Sequence, residues 1–118
     1  MSAGPFSKLE KRWRDERAAR QARSEDLRRR VAERGLPVLR GYGARQVWLV
    51  GSVADGRADA GSDIDLLAIP IETASYWSVR RDLEEALDHP VDLYTQDDDA
   101  RFVRKVMERG ELIDEVQP

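Results

Sequence analysis

The run Gln46-Val47-Trp48-Leu49-Val50, closed by Gly51-Ser52, constrains this chain more than any other segment. A short, almost wholly apolar run bounded by a turn glycine suits a central strand buried on both faces. A second run, Asp63-Ile64-Asp65-Leu66-Leu67-Ala68-Ile69, is polar at its beginning and apolar at its end. The small residues Val53 to Ser62 separate the two, with Gly56 and Gly61 as turn formers. Val91-Asp92-Leu93-Tyr94 follows His89-Pro90 as a third short strand, and Leu112-Ile113 suits a short edge strand. Between these runs, residues 74–88 carry Tyr76, Val79, Leu83 and Leu87 at helical spacing. A last helix over about 100–109 is capped by Asp97 to Asp99, turns Phe102, Val103 and Val106 inward, and stops at Gly110. The pattern predicts an α+β fold, a small mixed sheet of three to four strands with flanking helices.

Ahead of this core the chain is helical and basic. Residues 1–45 carry 13 Lys and Arg against 6 Asp and Glu, while residues 46–118 carry 7 against 17. Phe6, Leu9 and Trp13 predict one helix over about 6–22. Ser24, followed by Glu25 and Asp26, reads as the N-cap of a second helix that carries Leu27 and Val31. Gly35 and Pro37 end or kink it, unless Leu36, Val38, Leu39 and Tyr42 carry it towards Gly43. The expected division is a basic N-terminal helical extension, 1–23, and one domain, 24–118.

Several classes of function are excluded. There is no cysteine, hence no disulfide framework and no cysteine-ligated metal, and the single His89 rules out a multi-histidine zinc site. No apolar run approaches the ~18 residues of a membrane helix and no signal-like segment opens the chain, so a cytoplasmic protein without a membrane partner is expected. The basic arm intersperses acids and lacks an aromatic–basic pattern, which does not indicate nucleic acid as a stable partner.

The chemistry-bearing residues are acidic. Asp63 and Asp65 lie two positions apart in a strand and share a face, while Ile64 and Leu66 point into the core. Neighbouring carboxylates repel unless a cation lies between them. Asp92, flanked by apolar residues in a strand where aspartate is disfavoured, completes a three-carboxylate cluster if its strand lies alongside. Such oxygen-only clusters suit Mg²⁺ or Mn²⁺. In the turn after the first strand, Gly51 lets the backbone approach a phosphate closely, and Ser52 adds a hydroxyl and an N–H. Taken singly, any of these residues reads as a solvated acid or an ordinary turn former. Gly-Ser, ten residues, then Asp-x-Asp, in strand–turn–strand order, is specific.

That constellation resembles the DNA polymerase β-like nucleotidyltransferase superfamily, and within it the minimal nucleotidyltransferases of prokaryotes. The similarity spans roughly residues 25–114, including Ala54, Gly56, Ser62 and Val91-Asp92-Leu93. The resemblance implies a polymerase β-like nucleotidyltransferase core with Asp63, Asp65 and Asp92 as both catalytic and metal-holding residues, Asp92 serving as base for the attacking hydroxyl. It implies nucleotide binding by Gly51, Ser52, Arg57 and Ser62, with Mg²⁺, two ions per site, as cofactor and ATP as substrate. Many relatives carry arginine where this chain has Asp55, an acid that weakens triphosphate binding unless it faces away, with Arg57 as compensating cation. The activity implied is transfer of AMP to a tyrosine of a HEPN-type helical toxin partner, the nucleotidyltransferase being the antitoxin. So small a core leaves the acceptor to be gripped by an oligomer or by another protein. The alternatives are an antitoxin that neutralises by contact alone, and nucleotidyl transfer to a small molecule.

Overall fold

Strand β1 (Gln46–Val50) lies inside a four-stranded sheet ordered β3-β2-β1-β4, with β2 at Ile64–Ile69, β3 at Val91–Tyr94 and β4 at Glu111–Glu115. The computed structural model describes Gly4 and residues 6–117; residues 1–3 and 5 of the expected extension, and residue 118, lie outside the described residues. β1 is antiparallel to both neighbours, whereas β2 and β3 are parallel. The interior position of β1 follows from its sequence, because Val47, Trp48 and Leu49 are all buried.

The two faces of the sheet differ. On one, Val47, Leu49, Ile64, Leu66, Ala68, Val91 and Leu93 pack against Val79, Leu83 and Leu87 of α4 (Tyr76–Leu87) and against Leu27, Val31 and Leu39 of the N-terminal helical segment. On the other, Trp48 and Leu67 pack against Val103 and Val106 of α5 (Ala100–Arg109), with Val50, Ile69 and Tyr94 around them. Glu111–Glu115 forms the edge strand expected around Leu112-Ile113. There the buried residue is Asp114, which accepts from Arg40 Nε at 2.9 Å and also pairs with its Nη2.

The N-terminal region departs from expectation. α1 runs unbroken from Ser7 to Arg30, through the point where Ser24 was expected to cap a second helix. Instead, Ser24 is buried mid-helix. Its hydroxyl donates to the Arg20 carbonyl at 2.8 Å and accepts the Ala58 N–H at 3.0 Å. This long-range partner outweighs the local preference of serine for a cap. Gly35 and Pro37 do not end the helix either. The chain widens into a π-turn at Val31–Gly35 and continues as α2 (Leu36–Gly41). Pro37 lies in the first turn of α2, where a missing N–H costs least. Only Ser24 and Leu27 of α1 are buried, and the helix runs out from the body along a longest dimension of 63 Å. Phe6, Leu9 and Trp13 at its N-terminal end are exposed, as is Trp77 of α4. No helix among the described residues is long and apolar enough to cross a membrane.

Candidate active site

Parallel pairing places Asp65 of β2 directly beside Asp92 of β3. Because side chains alternate along a strand, both stand on the face that α5 covers, as does Tyr94. Both are half-buried. Burial pushes the Asp65 carboxyl from its ordinary 3.8 up to about 6, helped by a hydrogen bond with the Asp92 carboxyl and by the negative charges of Asp92 and Asp63. Burial and then the same neighbouring acids, Asp65 and Asp92, raise the Tyr94 hydroxyl. Asp63 is exposed, one residue before the β2–β3 ladder begins. Its charge reaches the site, but the three carboxylates do not close together: among the described residues no three acidic or histidine side chains are gathered into a ready-made ion site, although Asp65 and Asp92 stand side by side with Asp63 next to Ile64 in the chain. The three-carboxylate cluster expected from the sequence is therefore a pair with a third acid at its rim. Like charges repel, and only two of the acids are fixed by strand pairing.

Gly51 presses on this pair. Its φ of +75° is a left-handed conformation, and a Cβ built on it would collide with a carboxylate oxygen of Asp65. The neighbouring Val50 lies opposite Asp65 in the β1–β2 ladder. The short helix α3 (Gly51–Ala54) follows, and the carbonyls of Gly51 and Ser52 accept the N–H groups of Asp55 and Arg57 at 3.1 and 2.8 Å. Asp55 and Arg57 are both exposed and pair with each other at 2.9 Å. The Ser62 hydroxyl accepts the Asp59 N–H at 2.9 Å, and its carbonyl lies 2.7 Å from His89 Nε2. Of the four residues expected to bind nucleotide, Gly51 thus stands beside Asp65, Ser52 follows it in α3, and Arg57 and Ser62 make bonds within the loop. α1 holds this loop from behind: at the fully buried Ala58, the N–H bonds Ser24 and the carbonyl accepts from Arg23 Nη1 at 2.8 Å.

A cleft of about 310 Å³ opens beside Gly51 and Asp65. Val50, Tyr94, Phe102 and Val106 line it, with Lys105 and Arg109 on the α5 wall. The turn between β3 and α5 positions that wall. Asp98 accepts the Thr95 N–H at 2.8 Å, and Asp99 caps α5 by accepting from the N–H groups of Arg101 and Phe102 at 3.0 and 3.1 Å. Phe102, expected to face inward, is 38% exposed, with its ring centroid 4.8 Å from that of Tyr94 at the cleft. Val103 and Val106 take the inward positions.

The family model for polymerase beta nucleotidyltransferases matches residues 37–117. The chain belongs to this family. Among curated proteins, none is significantly similar to it in sequence. Among solved structures, a toxin–antitoxin crystallised with AMP-PNP superposes with a TM-score of 0.60 at 26% identity, covering 70% of this chain and 71% of that one. A mutant of an MntA toxin–antitoxin complex gives 0.58 at 24%, with 70% and 71% covered. The toxin–antitoxin MntA-HepT gives 0.52 at 24%, with 70% and 68% covered, and these last two show the fold alone.

In this nucleotidyltransferase, the residues present fit a divalent cation. Their donors are all carboxylate oxygens, Mg²⁺ needs few of them, and Asp65 is raised because its surroundings are apolar and negatively charged. Sequence reasoning missed four residues at the site: Lys105 and Arg109, Ser24 behind the loop, and Tyr94 as part of the cleft. Tyr94 was within reach of the period-2 pattern, two positions after Asp92. The others depend on how distant helices dock.

Proposed function

We propose that this nucleotidyltransferase moves AMP from ATP to the hydroxyl of a tyrosine on a HEPN-type toxin and so acts as its antitoxin. The observation that carries the reading is the pairing of Asp65 with Asp92 on the open sheet face, against a glycine that only a bare backbone can occupy. In an in-line displacement, the acceptor oxygen bonds to the α-phosphorus and gives its proton to Asp92, while the bond to pyrophosphate breaks. Asp63, Asp65 and Asp92 are the residues that would hold Mg²⁺, which when bound neutralises charge on the phosphates and the attacking oxygen. The relative crystallised with AMP-PNP is a toxin–antitoxin, and this supports both nucleotide binding and a toxin partner.

The test incubates the purified protein with radiolabelled ATP, Mg²⁺ and the product of the neighbouring gene. Label on that protein which disappears in Asp63→Ala and Asp65→Ala is the expected result. A contact-only antitoxin is the second reading, favoured by Asp55 at the anion-binding turn. Neutralisation that survives both substitutions without label transfer selects it.

A further inference from the structure

We infer that Lys105 and Arg109 of α5 hold the phosphate chain of the nucleotide, an inference that rests on the transferase reading of the site. The turn after β1 is poor in free positive charge. Of the cations near it among the described residues, Arg57 is engaged by Asp55, itself an anion, Arg28 pairs with Glu111, and Arg23 donates to the Ala58 carbonyl. The opposite wall of the cleft carries what the turn lacks. Lys105 and Arg109 lie one helical turn apart, on the face of α5 that lines the cleft with Gly51 and Asp65. Neither is in an ion pair among the described residues, although Arg28, Arg30, Arg40, Arg57 and Arg80 all are.

Packing fixes where these charges stand. Gly110, the residue after Arg109, lies so close to the end of β1 that a Cβ there would be 2.5 Å from Val50 Cγ1. Arg109 is thereby held at the end of β1, where the Gly51 turn begins. Lys105, four residues back along α5, lies between Arg109 and the Phe102–Tyr94 pair. Asp65 is the one acid among the residues that line the cleft. A polyanion can therefore lie along α5 with its far end at Arg109 and its reacting phosphate towards Asp65. Arg offers phosphate a planar fork of donors, and Lys a mobile point charge.

The experiment measures equilibrium binding of ATP, adenosine and inorganic tripolyphosphate, each with Mg²⁺, to the full chain. The double variant Lys105→Ala, Arg109→Ala is expected to weaken ATP and tripolyphosphate at least about tenfold, to lower the salt dependence of ATP binding, and to leave adenosine within about twofold. Thermal unfolding checks that this variant is folded. Should it not be, Lys105→Gln and Arg109→Gln singly carry the same test, at about threefold each. ATP binding that stays within about twofold, in a background where Asp63→Ala still abolishes transfer, overturns the inference and spares the transferase reading. An unaltered protein that binds neither ATP nor tripolyphosphate overturns both.

Discussion

Replacing Asp65 by asparagine should stabilise the protein in the absence of divalent cations. The carboxyl stands at about 6 instead of 3.8 because it is partly buried and lies beside Asp92 and Asp63. A rise of that size corresponds to about 3 kcal/mol at most. Asp65 is only half-buried, so solvent screening lowers the figure to about 1–2 kcal/mol. The sign follows from linkage. The folded state holds this proton more tightly than the unfolded chain, so the stability it confers is complete below 3.8 and is lost as pH rises through about 6. Asparagine keeps a permanent donor towards Asp92 and does not titrate. At about pH 7.5, in chelator and low salt, the variant should therefore melt roughly 5 °C above the parent. The gap should shrink to nothing by about pH 3.5. Thermal unfolding followed by circular dichroism across this range is the assay. A variant that is no more stable than the parent at the upper pH, or a gap that does not close at the lower, refutes the claim that the ionised Asp65 carboxylate beside Asp92 destabilises the fold.

Other perturbations separate the site from its supports. Ser24→Ala leaves the N–H of the buried Ala58 unpaired, so urea unfolding should show a loss of about 1–3 kcal/mol. Gly51→Ala meets both the left-handed backbone and the Asp65 carboxylate, and should abolish the proposed AMP transfer while lowering stability by at least about 1–2 kcal/mol. Arg40 hydrogen-bonds the Asp114 carboxyl and holds it below its ordinary range, a contribution present at neutral pH and lost as pH falls through the folded value. Arg40→Ala should destabilise the protein at neutral pH and flatten the acid limb of its stability profile. Mg²⁺ held at the folded site as proposed should raise the melting temperature of the parent, and do so less for Asp65→Asn.

The readable parts of this fold were those set by short-range pattern. Two apolar runs became β1 and β2, and Asp99 followed by Val103 and Val106 became α5. The period of two placed Asp65 and Asp92 on one face once the strands paired. Ser24 shows where such reasoning stops: serine followed by two acids is a sound cap locally, and only the Ala58 N–H, 34 residues away, makes a helix interior the better place for it. Phe102 was misjudged because periodicity gives the apolar stripe of a helix but not its edge, and here the edge is the mouth of a cleft. Lys105 and Arg109 gave no sign at all. In the sequence they are two more charges on an amphipathic helix, and their meaning comes from docking across β1 and β2.

The two faces of the sheet also explain how so small a core tolerates repelling acids at its centre. The face formed by Val47, Leu49, Ile64, Leu66, Ala68, Val91 and Leu93 is almost completely buried, with none of these residues more than 3% exposed, and it carries the packing against the helices. The α5 face is only partly covered, by Val103 and Val106, and its uncovered part holds Asp65, Asp92 and the cleft. Side chains on the two faces alternate along the same strands, so a substitution at Asp65 changes charge without opening a hole among the core side chains one residue away. Truncation of Leu66 or Leu93 would have the opposite character, a cavity in the core costing about 2–5 kcal/mol. Stability and chemistry are thus assigned to opposite faces of two adjacent strands, and this is why gains in stability and losses of activity should appear together at Asp65.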